Sequence, residues 1–275
     1  MFLAGPYPSP PDVIAPAGTH QVVLTIAAVV FGLWLLYGVV DFIRTRSPIL
    51  LLCALGGLIC ALMETFWGVL GLLNYREGNL MSWIQFNFRG DPLWSTLLYS
   101  AFAGGSAYLF YELRRRRAPM GQYWRGIGVI IVSNLIIEIP LTALKLYDYY
   151  GNQPFQFYRG GFPFWWLFTN LGGIFSGVLL AIAVERFGTR ATLLAVPLIP
   201  CAFGAWELWA GWPTFVVLTM GAPLFWTYVG AVVTIALSIG TAYAIFSVVA
   251  ATDGKRSSDE ARTKETPHPT GIQSH

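Results

Sequence analysis

The sequence is short of charge. Only 11% of its 275 residues are Asp, Glu, Lys or Arg, while 55% are hydrophobic. A soluble domain carries roughly 25% charged residues, so a chain this apolar reads as an integral membrane protein. Histidine is almost missing: His20, His268 and His275 all fall in what read as tails. Di-iron, haem–histidine and serine–histidine chemistry each need histidine inside the bundle, so none of them is expected. Cys53, Cys60 and Cys201 sit in apolar runs and read as small buried hydrophobes, not as a disulfide framework. There is no Asp-rich motif to hold a diphosphate and magnesium, and no aromatic–basic pattern for nucleic acid. The expectation is no metal, no cofactor and no nucleic-acid partner.

What is present is a series of apolar runs. The first 20 residues hold five prolines and no Lys or Arg, which does not suit a signal peptide. Seven stretches of membrane-crossing length follow, near Val22–Ile43, Ile49–Leu73, Leu93–Leu113, Gly126–Leu146, Phe164–Val184, Ala191–Gly211 and Leu224–Val249. The expected fold is all-α: a bundle of seven transmembrane helices over residues 21–250. A Pro-rich segment, 1–20, precedes it, and a polar, disordered tail, 251–275, follows. Of the 17 Lys and Arg residues, 13 fall on one side of this layout, including Arg114 to Arg117; Arg76, Arg89, Lys145 and Arg159 fall on the other. The positive-inside rule then puts the N-terminus outside and the C-terminus in the cytoplasm, in a multi-pass protein of the cytoplasmic (plasma) membrane.

Ionisable groups inside a bilayer are costly and point to function. Asp41, Glu112 and Glu185 lie at helix ends beside arginines, where a boundary ion pair suffices. Glu64, Glu138 and Glu207 lie 15, 12 and 16 residues past the starts of the second, fourth and sixth spans. At 1.5 Å per residue that is roughly 18–24 Å into a core about 30 Å thick, so the three carboxyls share one layer. Asn134 is one turn before Glu138 and faces the same way; Asn170 and Tyr228 enter that layer from the fifth and seventh spans. Nine of the 11 tryptophans fall in the outer half, with Trp67, Trp206 and Trp209 within three residues of Glu64 or Glu207. Between the fourth and fifth spans, Tyr147, Tyr149, Tyr150, Phe155, Phe157, Tyr158 and Phe162 read as an aromatic lid or as a loop lying in the interface.

A buried carboxylic acid can keep a proton to donate, and aromatic faces shelter a cation without acting as bases. Seven spans, a short chain, no metal motif and an acid in the second span, in Met63-Glu64-Thr65-Phe66-Trp67, resemble the membrane terpene cyclases of fungal meroterpenoid pathways. The resemblance implies a lipophilic isoprenoid substrate drawn from the membrane lipids and cyclisation or isomerisation begun by protonation, with Glu64 as donor. Glu138 and Glu207 would then orient it or act as terminal base, and Trp67, Asn134, Asn170, Trp206, Trp209 and Tyr228 would line the substrate site. The family's second acid is expected near the last span, which here has neither Asp nor Glu. The same acids also suit a proton-coupled or small-molecule transporter, or a seven-helix sensor with a ligand pocket, and interhelical hydrogen bonding alone would accommodate them.

Overall fold

The computed structural model describes residues 7–76, 78, 82–86, 89–158 and 161–265. The chain is mostly helical. Six helices are long and apolar enough to cross a membrane: α1 (Thr19–Thr45), α2 (Ile49–Gly71), α4 (Met120–Ala143), α5 (Trp166–Phe187), α6 (Thr189–Thr219) and α7, whose apolar part is Leu224–Asp253. Helix α3 (Leu93–Arg115) is as long, but less apolar. The reason lies in its position. Between α2 and α5, α3 buries Ser95, Thr96, Ser100 and Ser106 against protein, so it needs no uniform apolar surface.

Small residues let these three helices touch at the backbone, as is usual in membranes. A β-carbon on Gly104 of α3 would stand 2.3 Å from the carbonyl oxygen of Cys53, and one on Gly57 of α2 would stand 2.6 Å from the Gly104 nitrogen. On the other side of α3, a β-carbon on Gly177 of α5 would meet the Ala107 carbonyl at 2.2 Å. Helix α1 is peripheral; it buries only His20, Val23, Ala27 and Gly38. His20, expected in a tail, is thus in the first turn of a helix and 4% exposed.

At one end of the bundle the chain leaves the all-α pattern. Strand β1 (Leu73–Tyr75) pairs antiparallel with β4 (Tyr147–Tyr149), and β2 (Ser82–Phe86) pairs with β3 (Arg89–Pro92). The β1–β4 ribbon is closed by Arg76, whose Nη2 donates to Asp148 Oδ1 at 2.9 Å. The N-terminal segment lies on this end too, where Tyr7 donates to the Val69 carbonyl at 2.9 Å. The opposite end carries the arginines: Arg114 bridges Glu185 of α5 (3.1 Å) and Asp253 of α7 (3.0 Å), and Glu112 accepts from Arg115 and Arg116.

Helix α7 continues to Glu265, beyond residue 251, from which the polar composition predicts a disordered tail. Residues 260–265 are rich in good helix formers by type, Glu, Ala, Arg and Lys, which suits a helix that continues past the apolar stretch. The last ten residues of that tail, 266–275, lie outside the described set.

Candidate functional site

Two of the three depth-matched glutamates face one cavity. It measures about 50 Å³ and is bounded by Glu64 of α2, Tyr75 of β1, Tyr99 of α3, Glu138 of α4, and Tyr147 and Tyr149 of β4. Glu64 is 6% exposed, and both its oxygens are held: Tyr75 donates to Oε1 at 2.7 Å and Tyr99 to Oε2 at 2.5 Å. The Tyr75 hydroxyl also lies 3.3 Å from Ser95 Oγ. On Glu138, Oε2 accepts from Tyr147 and, at 3.4 Å, from Tyr149. Its Oε1 makes no hydrogen bond among the described residues, so one oxygen stays available.

The strand register creates this arrangement. Tyr75 and Tyr147 are direct partners across the β1–β4 ribbon, their rings 5.3 Å apart and edge-on; one serves Glu64 and the other Glu138. Trp94 packs on both, at 5.7 and 6.2 Å, and Trp166 packs on Tyr149 at 5.4 Å. Burial pushes the Tyr75, Tyr147 and Tyr149 hydroxyls well above the ordinary tyrosine range, reinforced by the nearby glutamates, so they remain donors at neutral pH. Asn170 donates to Asn134 Oδ1 at 2.7 Å on the remaining wall.

The other expected residues lie elsewhere. Glu207 of α6 is 1% exposed, within electrostatic reach of Glu64, Cys60 and Tyr99, and outside the cavity wall. Neither of its oxygens has a hydrogen-bond partner among the described residues. Trp67 is buried and stacks on Phe215 at 6.4 Å; Trp206 donates to the Phe168 carbonyl at 3.1 Å. Trp209 points outward, 58% exposed, and donates to Thr241 of α7. Two residues along a helix is about 200° of rotation, which sends Trp209 to the face opposite Glu207. Tyr228 packs edge-on against Phe155 at 4.6 Å and is not among the residues lining the cavity.

No known protein family, curated protein or solved structure matches the chain. Among the described residues, no group of three or more His, Cys, Asp and Glu side chains is placed to hold a metal ion. Of the cavity-lining residues, Tyr75, Tyr99 and Ser95 were not anticipated, although Ser95, Tyr99 and Phe102 follow the i, i+4, i+7 spacing of one helix face. Tyr75 has no comparable local signal, because a strand pairing across more than 70 residues brings it in.

Asp91, on β3, is a further acid at this end of the bundle. It is fully buried, and Thr96 donates to its Oδ2 at 2.8 Å. Burial first, then the charge of Glu64, pushes its carboxyl well above the usual range, against the hydrogen bonds from Thr96 and Ser95. The folded protein thus holds a proton that the unfolded chain releases above about pH 4. Stability from this group is therefore lost as pH rises through that window. Asp91→Asn is expected to melt higher than wild type at about pH 8 and level with it at about pH 3, as thermal melts of purified protein in detergent would read.

Proposed function

We propose that the chain is a seven-span membrane enzyme, with α3 as the seventh span, the N-terminus outside and the C-terminus cytoplasmic. It isomerises or cyclises a lipophilic isoprenoid by moving a proton between its two cavity glutamates. The observation that carries this reading is the pairing of Glu64 and Glu138 in one aromatic-walled cavity that has no Lys, Arg or His among the described residues of its lining. A single acid satisfied by its neighbours would serve helix packing; two acids fixed by hydroxyl donors around shared empty space supply both ends of a proton transfer.

Their environments divide the roles. Glu138, with Oε1 open, is the donor, and Glu64, with both oxygens held as acceptors, is the base. This exchanges the role that the resemblance gave to Glu64. The Glu138 O–H bond breaks and its proton joins an alkene carbon or an epoxide oxygen. The π electrons of a neighbouring double bond then close the new C–C bond. Loss of a proton from the last cationic centre to Glu64 leaves a double bond, so the product is an isomer of the substrate. Glu64 returns the proton to Glu138 before the next turn. The faces of Trp94 and Trp166 shelter the cation, and the fixed tyrosines leave little reorganisation for the reacting step.

The test is mass spectrometry of organic extracts from a bacterial host making linear isoprenoids. An isomer of a host lipid is expected with the wild type and absent with Glu138→Gln or Glu64→Gln at matched expression. An isomer formed equally by all three proteins would overturn the assignment.

A further inference from the structure

We infer that the substrate is a single-chain lipophile that enters sideways from the bilayer, its oxygen-bearing or unsaturated end in the acid cavity and its tail in a groove between α1, α3 and α4. The inference rests on the reading of the cavity as a proton-transfer site. A cavity of about 50 Å³ takes only a small group, since one water needs about 10–15 Å³. The rest of any lipophilic substrate has to lie in an adjoining space.

That space is present. A groove of about 250 Å³ runs past Val30 of α1, Ala101, Gly105 and Leu109 of α3, and Val129 and Ser133 of α4. Leu98, Phe102 and Ile137 line both the groove and the cavity, and so form the partition between them. From Leu98 to Leu109 the groove follows α3 for about 16 Å. Val30 and Val129 are exposed, which opens it to the lipid.

Its two hydroxyls are already engaged. Ser106 donates to the Ala103 carbonyl at 3.0 Å and Ser133 to the Val129 carbonyl at 2.8 Å. A guest therefore meets an apolar surface, with the polar groups only beyond the partition. Gly105 faces Trp34 of α1: a β-carbon there would meet the ring at 3.6 Å, an ordinary contact, while a large side chain would run into it. At about 250 Å³, just under the usual range of small-ligand sites of about 300–1,000 Å³, the groove has room for one chain.

The experiment uses the full chain in phosphatidylcholine vesicles and a long-chain primary alcohol carrying a diazirine at mid-chain. After irradiation, labelled peptides are mapped by mass spectrometry. Labels are expected on residues 101–109 and 129–133, displaced by unlabelled farnesol and not by a diacylglycerol. Gly105→Phe fills the groove and should lower this labelling about tenfold, equivalent to ~1.4 kcal/mol of binding. Ala101→Phe narrows the groove from a second position and should lower the labelling likewise, and thermal melts of both variants beside wild type guard against misfolding. Labelling spread over all lipid-facing helices, unchanged in both variants, or displaced equally by diacylglycerol would overturn the groove assignment. Because labelling needs no turnover, a positive map without any isomeric product would leave the groove standing and sink the proton-transfer reading instead.

Discussion

Glu138→Gln is expected to cut turnover by about 10²–10⁴-fold, the range a positioned proton donor contributes, with no loss of folded protein. The amide oxygen of Gln can still accept from Tyr147 and Tyr149, so the β4 hydroxyls keep a partner, while the N–H₂ group cannot surrender a proton. Glu64→Gln should lose activity on the same scale with little loss of stability. The amide oxygen still accepts from Tyr99, while the N–H₂ group donates to the Tyr75 hydroxyl, which lies 3.3 Å from Ser95 Oγ and can donate there instead. Melting curves beside turnover of the same preparations separate loss of chemistry from loss of fold. Full activity in Glu64→Gln would show that Glu64 acts only through packing.

The largest structural effect is expected at Gly104. Even Gly104→Ala should destabilise the protein by about 3 kcal/mol or more, at or above the usual range for overpacking. The new methyl meets the Cys53 carbonyl at 2.3 Å and the Cys53 carbonyl carbon at 2.9 Å, and these are backbone atoms with no rotamer to yield. Relief requires α2 and α3 to separate, which disturbs the helices carrying Glu64 and Tyr99. Gly32→Ala and Gly128→Ala are the controls. Neither new methyl has any neighbour within 4 Å, and replacing a helical glycine by alanine gains up to about 1 kcal/mol. Thermal melts of the three purified variants should place Gly104→Ala far below wild type and the other two level with it or above.

The main features of the bundle were legible because they rest on local repeats. Six of the apolar runs correspond to long apolar helices, and the rise per residue was enough to bring Glu64 and Glu138 to one depth. The Asn134–Glu138 spacing likewise marked one face of α4, and both residues line the cavity. Other features depend on contacts distant in sequence. The tyrosines of Glu64 come from β1 and α3, and Tyr75 reaches its place only because β1 pairs with β4. Proximity in sequence also misled: Trp209 is two residues from Glu207 and on the other side of its helix. Asp91 escaped notice because it precedes α3 in what looked like an outer loop, yet it is fully buried.

The three-residue β1–β4 ribbon is too short to persist alone. Its hydroxyls are tethered to carboxyls carried by α2 and α4, so the strand pair and the acids are thermodynamically linked, each holding the other in place. Removing either carboxyl altogether, as Glu64→Ala or Glu138→Ala would, should therefore loosen this strand cap as well as the chemistry. Conversely, anything that grips the cap from outside gains leverage on two side chains embedded in the membrane.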